Sequence, residues 1–93
     1  MARFVIEGEW SGYRSSQSRI VHREVITEKR AERVKNLSAI VYTDGTCLYV
    51  SVRKAEPRER IQEIHGYSSL IRQAEATGKD YVTVAELNPA RAA

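Results

Sequence analysis

The sequence predicts a small α+β domain whose mainly antiparallel sheet carries its helices on one face, in the order β-β-α-β-β-α-β. Three observations predict it. Residues 3–10 alternate apolar and polar side chains, an Asp44-Gly45 pair sits between two apolar runs, and residues 68–77 show a helical period closed by Gly78.

Taken in order, Arg3 to Trp10 places Phe4, Ile6 and Trp10 on one face and Arg3, Glu7 and Glu9 on the other, the pattern of a half-buried strand. A polar stretch follows, Ser11 to Ser18. Arg19 to Thr27 then interleaves Ile20, His22, Glu24 and Ile26 with Val21, Arg23 and Val25, so a hairpin with the first strand is the simplest pairing. Thr27 suits the N-cap of a charged helix over Glu28 to Asn36, with Ala31, Val34 and Leu37 at a spacing of three.

Asp44-Gly45 predicts a two-residue type I′ turn, because both residues tolerate positive φ. Counting outward pairs Val41 with Leu48, Ile40 with Tyr49 and Ala39 with Val50. In that register Ala39, Val41, Leu48 and Val50 form an aliphatic core surface. Ile40, Tyr42, Cys47 and Tyr49 form an aromatic second face, suited to an intramolecular cover or a dimer seam. Pro57 opens an expected helix carrying Ile61 and Ile64, Gly66 interrupts it, and a second helix runs from Ser68 to Thr77 with Leu70, Ile71 and Ala74 inward. The final strand is Tyr81 to Leu87. Residues 1–88 therefore read as one domain, with 89–93 a short tail.

Composition narrows the function classes. The chain has 93 residues, one Cys, two His and a net charge of +3. One small core confers little stability, so self-association is expected. The lone Cys47 makes no internal disulfide, no apolar run reaches membrane-span length, and the N-terminus has no apolar signal segment, a pattern that reads as cytoplasmic. The basic residues are 11 Arg to 4 Lys, and residues 14–35 hold seven bases against three acids. That excess attracts an anion but falls short of a duplex-DNA stripe. His22 and His65 with one Cys do not make a structural zinc site, no carboxylate pair is set apart for acid-base work, and no phosphate-binding glycine motif occurs, so neither metal, cofactor nor catalysis is expected.

The remaining candidate is the segment from Trp10 to Arg19, extended to Arg23. Trp10 and Tyr13 can stack on a planar base, Arg14, Arg19 and Arg23 can neutralise phosphate, and Ser15, Ser16 and Ser18 can donate hydrogen bonds. The bland alternative is a loop whose aromatics cover the core edge. Lys29, Arg30, Arg33 and Lys35 on the first helix form either an anion-attracting rim or a solvated face. The expectation is a non-enzymatic, homo-oligomeric protein that captures an anionic, nucleotide-like small molecule. The alternatives are an inhibitor docking on a larger effector protein and a weak, nonspecific nucleic-acid binder.

In general character, with a compact single domain, no catalytic constellation and a surface rich in Arg and Tyr, the chain resembles the small anti-defence accessory proteins encoded by bacteriophages. That resemblance implies action in a prokaryotic host, either by sequestering a nucleotide-type signal or by blocking a host defence protein. It transfers no site residue.

Overall fold

A computed structural model describes residues 2–11 and 18–87. The elements are β1 (Phe4–Ser11), β2 (Ser18–Ile26), α1 (Glu28–Val34), β3 (Ala39–Val41), β4 (Cys47–Lys54), β5 (Ile64–His65), α2 (Ser68–Ala76), β6 (Tyr81–Thr83) and α3 (Val84–Leu87). They build an α+β domain around one six-stranded sheet ordered β5-β2-β1-β4-β3-β6. Among the described residues every pairing is antiparallel except β3 with β6. Among the described residues no helix is long and apolar enough to cross a membrane.

The first hairpin forms as its alternation predicts, with Phe4 opposite Ile26 and Ile6 opposite Glu24. A bulge then intervenes, since Gly8 faces His22 whereas Glu9 faces Ile20. Opposed residues share a face, so Phe4, Ile6, Gly8 and Trp10 line up with Leu48, Val50 and Val52 of β4 on the helix side. There Ile6, Ile40, Leu48, Ile71, Val34 and Val82 are completely buried in one cluster that joins the sheet to α1 and α2. Thr27 caps α1 by accepting from the Arg30 backbone N–H at 3.1 Å.

Three expectations need correction. The Asp44-Gly45 turn holds three loop residues instead of two: Tyr42 and Thr46 form the closing pair through a 2.9 Å backbone bond. Asp44 Oδ1 accepts from the Thr46 N–H at 3.0 Å and hydroxyl at 2.7 Å, and Gly45 takes φ of 90°. That closure pairs Ala39 with Tyr49, Ile40 with Leu48 and Val41 with Cys47. A slip of one residue exchanges the faces of a strand. Ile40 therefore enters the core, Tyr42 packs beside it against Trp10, and Ala39 and Val41 join Cys47 and Tyr49 on the helix-free face.

The expected helix from Pro57 is instead an irregular strap over residues 55–63 that leads into β5. Its backbone acceptors are drawn elsewhere. Arg3 donates to the carbonyls of Glu56, Pro57 and Glu59 at 3.0, 3.4 and 3.0 Å, and the Glu59 carboxylate turns to Arg53. Finally, the last strand stops at Thr83, because the Glu86 carboxylate accepts from the Thr83 N–H at 2.8 Å and opens α3 with a capping box.

Candidate functional site

The aromatic and arginine segment singled out by the sequence is only partly within the described residues. Tyr13, Arg14, Ser15 and Ser16 lie outside them. Trp10 is half-buried on the helix side, edge-on to Tyr42 with ring centroids 5.1 Å apart, so its indole closes the core margin. Arg19 is exposed on β2, and Ser18 donates to the Glu9 carboxylate on the neighbouring strand. Arg23 points to the helix-free face, where its Nε meets Glu7 at 2.8 Å. The Glu7 carboxylate offsets the Arg23 charge that would otherwise draw a phosphate. Trp10, Arg19 and Arg23 are thus spread over two faces of the sheet.

The helix-free face carries a charge ladder. Glu7 receives Arg23 and Arg53, the latter at 3.2 Å, and Arg53 also grips Glu59 with two bonds of 2.9 and 2.6 Å. Partial burial pushes the Glu7 carboxyl up, but the hydrogen bonds from Arg23 and Arg53 outweigh it and leave the carboxyl below its usual range. The Arg53 hydrogen bonds hold Glu59 down at about 2. These charges compensate one another.

A second polar cluster lies beneath the helices. His22 is fully buried, and the glycine opposite makes room for it: a Cβ on Gly8 would stand 3.2 Å from both the His22 Cβ and a Leu48 methyl. His22 Nδ1 accepts from the Tyr67 N–H at 3.4 Å, and Nε2 lies 3.4 Å from Glu24 Oε2. That same carboxylate oxygen accepts from Arg30 Nη1 at 3.2 Å, while Arg30 Nε donates to Glu75 at 3.1 Å. Arg30 is 5% exposed and its Nη2 is buried without a hydrogen-bond partner. One guanidinium therefore ties β2, α1 and α2 together. Burial lowers the His22 pKa below the usual histidine value, more than the nearby Glu24 raises it. Burial pushes the Glu24 carboxyl up, but the hydrogen bond and charge of Arg30, together with His22, outweigh it and leave Glu24 below the usual carboxylate range.

Next to this cluster the surface opens into a cleft of about 240 Å³ between α1 and α2, lined by Arg33, Arg72, Glu75 and Ala76. Arg33 has no carboxylate at ion-pair distance among the described residues. Arg72 has only a 4.0 Å approach to Glu24 and leaves 58% of its side chain exposed. The Glu75 charge is already taken up by Arg30 from below. Two guanidiniums, one without a carboxylate partner among the described residues and one with only that long approach, therefore face one cleft from two helices, an arrangement that favours an anion.

The sequence reads Lys29, Arg30, Arg33 and Lys35 as either an anion-attracting rim or a solvated face, and it neither joins Arg72 and Glu75 to them nor reveals the buried cluster. A signal was present for Arg30, which sits at i−4 to buried Val34 on the inward stripe of α1. Among the described residues no group of three or more His, Cys, Asp or Glu is placed to hold a metal. No protein-family model matches the chain, and neither does any curated protein or solved structure.

Proposed function

We propose that the chain is a non-enzymatic binding protein that captures a small anionic ligand by its phosphoryl or carboxylate group in the cleft between α1 and α2. The observation that supports this reading is the facing pair Arg33 and Arg72, free of strong ion pairs, across a cleft whose one acidic wall is neutralised by Arg30. A cleft of about 240 Å³ is smaller than the usual 300–1,000 Å³ pockets that enclose whole organic ligands. It suits the phosphate end of a nucleotide-like molecule with the remainder outside. Sequestering such a molecule is one of the two roles that the resemblance to phage anti-defence proteins implies.

Each charge-assisted hydrogen bond contributes about 1.5–3 kcal/mol. Two of them in an open cleft correspond to a Kd on the order of a millimolar, for which about 4 kcal/mol suffices. The test is calorimetric titration with a mononucleotide and with inorganic phosphate. Arg33→Ala and Arg72→Ala should each weaken binding about tenfold while leaving the melting temperature of the free protein in place. Equal affinity in the variants would overturn the assignment.

A second reading, docking on a protein, is favoured by one feature. Tyr49 and Tyr81, 49% and 61% exposed, flank the small Ala39 on the helix-free face. Exposed tyrosine is typical of protein interfaces. It predicts loss of a protein complex in Tyr49→Ser and Tyr81→Ser with anion binding intact.

A further inference from the structure

The fully buried His22 has no part in the anion reading, yet it is the side chain that meets the start of α2. Tyr67 is the N-cap residue of that helix and brings no side-chain capping bond. Its backbone N–H is spent on His22 Nδ1 at 3.4 Å. An imidazole nitrogen that accepts carries no proton, so neutral His22 bears its single proton on Nε2, the nitrogen facing Glu24 Oε2. A second proton can enter only at Nδ1. There it meets the Tyr67 N–H, donor against donor, and the bond is lost.

We infer that His22 is an acid-sensitive latch: in its neutral form it holds the N-terminus of α2 through the Tyr67 N–H, and protonation at Nδ1 releases that end of the helix. The groups around it set the direction. On its own strand Glu24 favours the charged ring. On β5 the ring of His65 stands edge-on at 6.2 Å, itself 3.3 Å from Glu63. On α1 Arg30 opposes a second cation, and from α2 Glu75 and Arg72 bear on His22 only through Arg30 and Glu24. β1 contributes only Gly8 at this point. Among the described residues Glu24 is the one carboxylate close to the ring, and Arg30 already holds the facing oxygen, so burial prevails and the neutral form is native near neutral pH.

Release matters to the cleft because α2 supplies Arg72 and Glu75 to it. Loosening its first turn blurs the spacing between Arg72 and Arg33. The latch does not depend on any ligand; its effect on the cleft rests on the anion-binding reading.

The experiment is an NMR titration of the ligand-free protein from about pH 7.5 to about pH 5, following the His22 ring nitrogens, the Tyr67 amide and exchange protection along α2. At the start the ring should show the Nε2–H tautomer. As it protonates, the Tyr67 amide signal should move, and protection at residues 67–70, corrected for intrinsic rates, should fall about tenfold for each unit by which the native pKa lies below that of the opened state. His22→Asn keeps an acceptor at the Nδ1 position without the titration and should abolish the response; His65→Gln should leave it. An Nδ1–H tautomer at neutral pH overturns the latch, as does unchanged α2 protection or a response that survives in His22→Asn and vanishes in His65→Gln. Should His22→Asn fail to fold, the tautomer and protection in wild type and His65→Gln decide alone. Sulfate, whose charge is constant over this range, then probes the cleft. No sulfate binding at about pH 7.5 defeats the anion reading and leaves the latch standing, whereas sulfate binding with α2 protection unmoved by acid defeats the latch alone.

Discussion

Arg30 and Arg53 are built from the same parts, each bridging two glutamates that lie far apart in the chain. Arg30 joins Glu24 to Glu75 between the sheet and the helices, with 7% of its side chain exposed; Arg53 joins Glu7 to Glu59 on the helix-free face, with 40% exposed. Water makes the difference between them. On the outer face solvent screens each charge whether or not its partner is present, so the ladder adds little net stability. Under the helices no solvent replaces a lost partner, and removing one charge strands the others. Arg53 nevertheless has the better geometry, with two bonds to one carboxylate, while Arg30 leaves Nη2 unpaired. Burial, more than geometry, decides which of the two the fold depends on.

The largest loss is expected at Arg30. Arg30→Met keeps the volume, strips Glu75 of its cation and leaves Glu24 with only the His22 ring and the distant Arg72, so urea unfolding should show a loss of about 3–5 kcal/mol. Adding Glu24→Gln and Glu75→Gln should recover most of it, and a single variant as stable as wild type would show that the buried cluster is dispensable. Next in size is Gly8→Ala. A methyl 3.2 Å from both the His22 Cβ and a Leu48 methyl forces one of them to shift, for a cost of about 1–3 kcal/mol in the same assay.

Acid should separate the two regions. His22 has a native pKa below its unfolded value, so the unfolded chain binds the proton first and the stability it contributes fades as pH falls below about 6.5, the ordinary histidine value. Glu59 is held down at about 2 against an ordinary 4.5, so its contribution is complete above 4.5 and fades only between those values. Unfolding midpoints measured against pH should show the earlier loss vanish in His22→Asn and the later one shrink in Arg53→Ala. The smallest expected effect is Arg53→Ala at neutral pH, under about 1 kcal/mol. A larger loss there would mean that the strap over residues 55–63 depends on the ladder.

The same contrast explains how much the sequence discloses. The β1–β2 hairpin, the Thr27 cap and the α2 stop at Gly78, with φ of 73°, follow from neighbours a few residues away. The strap does not, since its carbonyls answer to Arg3, more than fifty residues earlier. Nor does the β3 register, which turns on whether Asp44 caps Thr46, a choice that Asp-Gly leaves open. In the cleft, Arg33 was legible as a cation on a charged helix. Arg72 could not be joined to it before the sheet brought α1 and α2 side by side, and the buried role of Glu75 rests on Arg30, 45 residues away. The two helix caps also differ in legibility: Thr27 stands before an evidently charged helix, whereas Thr83 and Glu86 have the spacing of a capping box but the apolar residues around them look equally like a strand.

The shortness of the outermost strands has a consequence for the newborn chain. β5 and β6 cover the two margins of the sheet with two and three residues, and both come from the second half of the sequence. In the finished protein such stubs offer little to a neighbouring strand. During synthesis, however, β1 to β4 emerge first, and the flank of β3 stays bare until Val82 arrives beside Ile40. Nascent chains stalled before that residue should therefore be the sticky form of this protein, and the emergence of residues 81–83 the step that makes it safe from its own copies.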